Sequence, residues 1–163
     1  EEIILSIKAM SKTNAIRILE SHKVKFETVS YEVDEDDLSG ETVALKVGVY
    51  PETVFKTLVC IGDKTGHIVF CIPVTQELNL KKTASASGNK KVEMIKVKDL
   101  HPLTGYLRGG CSPVGMKKLF PTYIDETAQL FENIYVSAGV RGTQMKLSPD
   151  DLLNIVKGTY VDL

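Results

Sequence analysis

The sequence predicts an α+β fold: a curled, mixed sheet or open β-barrel of about seven strands, with helices packed outside. Three observations lead there. Seven or eight short runs are rich in β-branched and aromatic residues, and four segments carry helix caps or helical periodicity. The two kinds do not alternate as a doubly wound parallel sheet demands. The chain has 163 residues, 43% hydrophobic and 25% charged, which suits one domain with a sizeable core.

The most decisive strand is residues 54–61, closed by the turn formers Gly62-Asp63-Lys64-Thr65-Gly66. Side chains alternate along it, so Val54, Lys56, Leu58 and Cys60 share one face and Phe55, Thr57, Val59 and Ile61 the other. Both faces are apolar enough to be covered, which leaves one ammonium in an otherwise buried row. A buried, unpaired charge is costly. Lys56 therefore snorkels to water, guards a strand edge, or serves a site.

The other elements follow in chain order. Thr13 caps a helix whose inward stripe is Ala15, Ile18, Leu19 and His22. Residues 24–33 are extended, with Val29, Tyr31 and Val33 on one side, and Asp34-Glu35-Asp36-Asp37 form a solvated loop. Ser39 starts a second helix, with Val43, Ala44 and Val47 apolar and Gly48 at its end. A strand at 67–74 returns from the hairpin. Asn79 caps a helix that Gly88 stops, with Lys81-Lys82 near the dipole end that disfavours cations. Residues 92–95 are a short strand, and 98–101 a brief helical turn ended by Pro102. Residues 104–115 set four glycines and a proline around one short strand: either a bulged turn or backbone that a ligand touches. Strands at 120–125 and 133–137 flank an amphipathic turn with Leu130 and Phe131, and Ala138 to Gly142 is a tight turn. Ser148-Pro149-Asp150-Asp151 opens a last helix ending at Gly158, before a closing strand at 160–163.

Composition excludes several classes. No apolar run reaches the ~18 residues of a membrane span. Residues 1–11 read as an N-terminal extension or cloning remnant, with Met10 a candidate start, and 12–163 as the domain; the opening glutamates argue against a signal peptide. Three cysteines are too few and too odd in number for a disulfide scaffold. A register symmetric about Lys64 pairs Cys60 with Ile68 and leaves Cys71 about 10 Å away, beyond bridging reach. His22, His67 and His101 are scattered, so a metal site has little support. The expected compartment is the reducing cytoplasm. A net charge of −1 and a pI of about 6.4 argue against broad nucleic-acid binding. The doublets Lys81-Lys82, Lys90-Lys91 and Lys117-Lys118 are solvated surface, or a small phosphate-facing patch if the fold gathers them.

There is no phosphate-binding loop, dinucleotide fingerprint or nucleophile elbow. Cys111 and Ser112 lack a histidine placed as base. Adjacent Asp125 and Glu126 face opposite ways on a strand and make no acid–base pair. Any chemistry here works by positioning and electrostatics.

An ordered set of motifs is more specific. It comprises Thr13-Asn14-Ala15, Phe55-Lys56-Thr57-Leu58, Leu78-Asn79-Leu80-Lys81-Lys82 and Lys90-Lys91-Val92-Glu93-Met94. Then come Thr104-Gly105-Tyr106-Leu107-x-Gly109-Gly110-x-Ser112-Pro113-x-Gly115-x-Lys117-Lys118 and Ile134-Tyr135-Val136-Ser137-Ala138-Gly139-x-Arg141-Gly142. Over residues 12–163 the set resembles the YbaK/EbsC family, free-standing relatives of the editing domain inserted in bacterial prolyl-tRNA synthetases. It is more similar to the branch that removes cysteine from Cys-tRNA(Pro) than to the alanine-specific branch.

That resemblance implies a pocket for the aminoacylated 3′-terminal adenosine of tRNA(Pro), and ester hydrolysis without cofactor or metal. It also implies partnership with prolyl-tRNA synthetase, which would supply the affinity a near-neutral protein lacks. Lys56 matches the family's essential lysine, and Gly109-x-x-x-Pro113 the loop beside the scissile ester. Tyr31 and Ser137 match other pocket positions. In this branch the substrate's own thiol attacks the ester carbonyl while the protein holds the ends together. Such placement alone can be worth about 7–11 kcal/mol. The implied roles are orientation or charge stabilisation by Lys56, and backbone contacts to the ester from Gly109 and Gly110. Thr57, Ser112 and Ser137 would supply hydrogen bonds and Tyr31 a wall, with the cysteines dispensable. Two rival implications are a deacylase for Ala-tRNA(Pro) or several mischarged tRNAs, and a non-catalytic tRNA- or synthetase-binding module.

Overall fold

The computed structural model describes residues 12–163, and the readings made for residues 1–11 lie outside them. Among the described residues are five eight-residue helices: α1 (Asn14–Ser21), α2 (Gly40–Val47), α3 (Leu80–Ser87), α4 (Val97–Thr104) and α5 (Pro149–Val156). The strands are β1 (Phe26–Ser30), β2 (Phe55–Gly62), β3 (Gly66–Pro73), β4 (Val92–Met94), β5 (Thr122–Asp125), β6 (Ile134–Ser137), β7 (Thr143–Leu147) and β8 (Thr159–Val161). They form a three-stranded antiparallel sheet, β1-β7-β6, and a mixed five-stranded sheet, β4-β2-β3-β5-β8. One parallel bridge, Val54 to Tyr135, joins the two sheets, and the curl does not close. The fold is α+β, as expected.

The main core lies between the sheets. Phe55, Val59, Val69 and Ile124 meet Ile134, Val136, Met145 and Leu147, with α1 (Ala15, Leu19) and α5 (Leu152, Val156) packed on the same cluster. The outer face of the larger sheet buries Cys60, Ile68, Phe70 and Ile72 with Ala84 of α3. A third, small cluster joins Val54 and Val74 to Ala44 of α2. Both faces of β2 are thus covered along most of its length; Ile61 is exposed near its end, and half-buried Lys56 stands between Val54 in one cluster and Leu58 packed on another.

Helix starts follow their caps: the side chains of Thr13, Ser39, Asn79 and Ser148 each accept a backbone N–H of their own first turn. The hairpin register is the symmetric one, with Cys60 opposite Ile68 and Cys71 opposite Thr57.

Four expectations need correcting. His22 is exposed at the end of α1, because its ring turns back to the Ile18 carbonyl rather than into the core. Pro102 lies inside α4 instead of ending it. The N–H it lacks would have served the carbonyl of exposed Lys98, and Gly105 closes the helix by donating to His101 O. Residues 105–121 hold no strand. The missing one is β7, which pairs with both β1 and β6 and alternates Met145 and Leu147 inward. Finally, Leu130 is 77% exposed, and it is Ala128 and Phe131 of that turn that pack on the core.

The β2–β3 turn depends on one buried amide. Asn89 accepts the backbone N–H groups of Lys64 (2.9 Å) and Thr65 (3.1 Å) and donates to Ser87 Oγ at 2.9 Å. Replacing it with Ala leaves those donors without a partner, at a cost of about 1–3 kcal/mol. Scanning calorimetry of Asn89→Ala should show a melting temperature lower by roughly 2–4 °C for each kcal/mol lost.

Candidate active site

A strand with a missing neighbour creates the site. Along its outer edge β2 pairs with β4 only at Cys60, Ile61 and Gly62. At its start the Val54–Tyr135 bridge ties it to β6. Between these two attachments nothing completes the sheet, and a cavity of about 400 Å³ fills the gap. Residues 54–59 form one wall, the start of α2 (Ser39, Gly40, Glu41) a second, and residues 94–97 with Leu100 a third. Arg108, Gly109 and Cys111 close it from the glycine-rich loop, with Ser137 of β6 and Gln144 of β7. Its size falls in the range of small-molecule sites.

Of the residues singled out in the sequence, Lys56, Thr57, Gly109 and Ser137 line this one cavity. Lys56 is half-buried, and it is in none of the ion pairs among the described residues. Tyr31, Gly110, Ser112 and Pro113 stand outside the wall, each for a physical reason. The backbone N–H of Tyr31 donates to Gly142 O at 2.9 Å, which pins it to the β6–β7 turn. Gly110 packs backbone against backbone: a Cβ there would sit 2.9 Å from Arg141 N. Ser112 is fully buried, and its hydroxyl accepts the Val114 N–H at 3.2 Å. Pro113 faces a separate apolar cavity of about 150 Å³, shared with Ile18 and Val156. These four shape the loop rather than the wall.

Arg141 holds that loop in place. Its Nε donates to the Arg108 carbonyl at 2.8 Å, and its Nη1 meets Glu35 at 2.6 Å. Glu35 of the acidic run is thus ion-paired while its side chain stays exposed. Gly109 has φ +84°, and a Cβ on it would lie 3.3 Å from Arg141 Nε and 3.4 Å from the Leu38 side chain. Only glycine fits there without strain.

Three cations (Lys56, Lys96, Arg108) and one carboxylate (Glu41) line the cavity, whereas the whole chain has a net charge of −1. The first N–H groups of α2 add positive potential from the same wall. Of the lysine doublets, Lys82 pairs with Asp162, Lys91 with Glu93, and Lys117 donates to Pro102 O. The cavity, not the doublets, concentrates positive charge around an opening.

No histidine lines the wall. Burial pushes the Cys111 thiol up to about 12, so at neutral pH it is protonated and a poor nucleophile. The cavity can therefore hold and polarise an anionic or ester-bearing ligand, but it offers no activated attacking group. Sequence reasoning missed Gln144 because it assigns residues 143–147 to no element. The apolar-polar-apolar alternation of Met145-Lys146-Leu147 was the available signal.

Fold and site together define a small α+β domain built around a cationic cavity, without an activated nucleophile, at a break in its sheet. The family model described as "Aminoacyl-tRNA editing domain" matches residues 35–155. A protein of Enterococcus faecalis named "Putative Cys-tRNA(Pro)/Cys-tRNA(Cys) deacylase EbsC" is 52% identical over 156 residues, covering 96% of this chain and 95% of its own. A solved structure titled "Crystal structure of a putative trans-editing enzyme for prolyl tRNA synthetase" superposes with a TM-score of 0.80 at 23% identity, covering 92% of this chain and 94% of that one. A solved hypothetical protein gives 0.81 at 18% identity, covering 91% and 99%. These last two share the fold. The chain belongs to the aminoacyl-tRNA editing domain family, in which the YbaK/EbsC resemblance had placed it.

Burial also pushes the thiols of Cys60 and Cys71 up, to about 11 and about 12. Raised thiol values mean that the reactive thiolate is scarce at pH 8. Iodoacetamide at that pH should label none of the three cysteines in the native protein and all three in denaturant, counted by intact mass.

Proposed function

We propose that this protein acts in trans to remove cysteine from mischarged Cys-tRNA(Pro), with the substrate's own thiol as nucleophile. The observation that carries this reading is the content of the cavity wall. It gathers Lys56, the start of α2 and the Gly109 loop around one space, without a nucleophile–base pair. In the proposed step the cysteinyl sulfur attacks the ester carbonyl carbon. A C–S bond forms, the C–O bond to the ribose breaks, and the thiol proton ends on the departing ribose oxygen. The product is a strained cyclic thioester that water then opens. The Lys56 ammonium faces the oxygen where negative charge grows, and Gly109 keeps the loop backbone close to the ester. Thr57 and Ser137 supply hydrogen bonds from neighbouring walls. No metal or redox group enters these steps.

The name of the Enterococcus relative joins two tRNAs through one amino acid. This favours recognition of the acyl group and terminal adenosine over the tRNA body. Choice of tRNA(Pro) then falls to a partner, and prolyl-tRNA synthetase is the natural one. A protein of net charge −1 attracts polyanions weakly at long range. Among the described residues no helix is long and apolar enough to cross a membrane, and work on charged tRNA belongs in the cytoplasm.

Three measurements test this. Deacylation of Cys-tRNA(Pro) by Lys56→Ala should fall by roughly 100-fold or more, the scale on which one oriented charge-stabilising contact acts; full activity would remove Lys56 from the mechanism. Ser-tRNA(Pro) should be released much more slowly than Cys-tRNA(Pro), whereas equal rates would mean that water attacks. Labelled tRNA(Pro) should bind more tightly when the synthetase is added, and equal affinity without it would dismiss the partnership.

A further inference from the structure

Among the described residues, one buried side-chain polar atom has no hydrogen-bond partner: Oε1 of Gln144. The residue is 6% exposed and belongs to the cavity wall. Its position follows from strand register. On β7 it lies directly opposite Ser137 of β6, so both side chains leave the sheet on the same face, while Val136 and Met145 turn into the core. Ser137 Oγ accepts the Gly139 N–H at 3.1 Å, a bond that leaves its own proton free to be donated. Gln144 thus places in the cavity wall a side-chain amide whose carbonyl oxygen is buried and has no donor within the protein. Leaving such an atom unanswered in the free protein costs stability. That cost is typical of a group reserved for a ligand.

The missing donor can be identified by its chemistry. On the deacylase reading, on which this inference rests, the cavity receives an aminoacyl ester. The strongest donor of that group is its α-ammonium, with three N–H bonds and a positive charge. Lys56, Lys96 and Arg108 repel it from their parts of the wall. Glu41 attracts it, but that side chain is exposed and solvated at the start of α2. A buried, neutral carbonyl beside a hydroxyl is the acceptor left. We infer that Gln144 is a specificity-determining residue that binds the α-ammonium of the aminoacyl group through Oε1. This bond fixes Cα, so that the substrate's side chain rather than its amine faces the ester carbonyl. It also makes the site a check for a free amine: N-acylated and peptidyl-tRNAs carry no ammonium for Gln144 to hold.

The test compares wild type, Gln144→Met and Gln144→Glu on Cys-tRNA(Pro) and on the same tRNA with its cysteine N-acetylated. Wild type should disfavour the acetylated substrate by roughly 10–100-fold, the range of a hydrogen bond to a charged group. Gln144→Met should raise KM by a similar factor and treat both substrates alike, and its melting temperature should match or exceed wild type because the orphaned carbonyl is gone. Gln144→Glu, which keeps an acceptor, should keep the discrimination. Equal handling of both substrates by wild type, or unchanged kinetics in Gln144→Met, overturns the inference. Calorimetric titration of wild type with the 3′-amide analogue of cysteinyl-adenosine and its N-acetyl form needs neither turnover nor a folded variant. Equal Kd values there also overturn the inference. A preference for the free amine without any deacylation keeps the recognition and discards the deacylase reading.

Discussion

The rest of this molecule depends on an interruption in the hydrogen bonding of β2. A central strand normally satisfies its backbone on both sides, and unpaired edges are liabilities that proteins cover or blunt. Here β3 covers one side along the full length, whereas β4 and β6 reach only the two ends of the other. The open middle is not left to water alone. The start of α2, the segment after β4 and the glycine loop surround it and turn a sheet defect into a walled cavity. Lys56 is tolerated in an otherwise apolar row because it stands at that opening, between two hydrophobic clusters rather than inside one. Filling the gap with a longer β4 would improve the sheet and abolish the site.

The electrostatic arrangement fits a catalyst that borrows its reactive group. A protein thiol is present in the wall, but burial keeps it protonated, and no histidine stands near to change that. What the wall supplies instead is placement and fixed positive potential. Those two contributions stabilise charge as it develops without first having to create it on the protein. On the proposed reading such a site is selective by construction, since a substrate without its own nucleophile gains position but no attacking atom.

Much of the fold could be read from local sequence, because its signals are local. Caps at Thr13, Ser39, Asn79 and Ser148, and the turn from Gly62 to Gly66, act within a few residues of themselves. The errors came where long-range pairing decides. Thr143 to Leu147 becomes a strand because β1 and β6 flank it, and residues 105–121 stay irregular because Arg141 and Tyr106 fasten them from inside the fold. At the site, the lysine and glycine positions were visible as residue types out of place. Tyr31, Ser112 and Pro113 could not be told from wall residues, since a residue that shapes a loop and one that faces a ligand look alike in one dimension. Gln144 was silent for the opposite reason: a glutamine in a polar stretch looks ordinary until its neighbours are known.

Finally, the link from Arg141 to the glycine loop has a bearing on ionic strength. At 0.15 M salt, attraction between separated charges fades over about 8 Å, so a polyanion's long-range pull on the cationic opening weakens quickly as salt rises. The Nε–carbonyl bond to Arg108 is short-ranged and does not depend on a second ion, so it survives where the partly exposed Glu35 pairing weakens. Salt strong enough to screen that attraction therefore leaves the loop fastened and the cavity wall in shape.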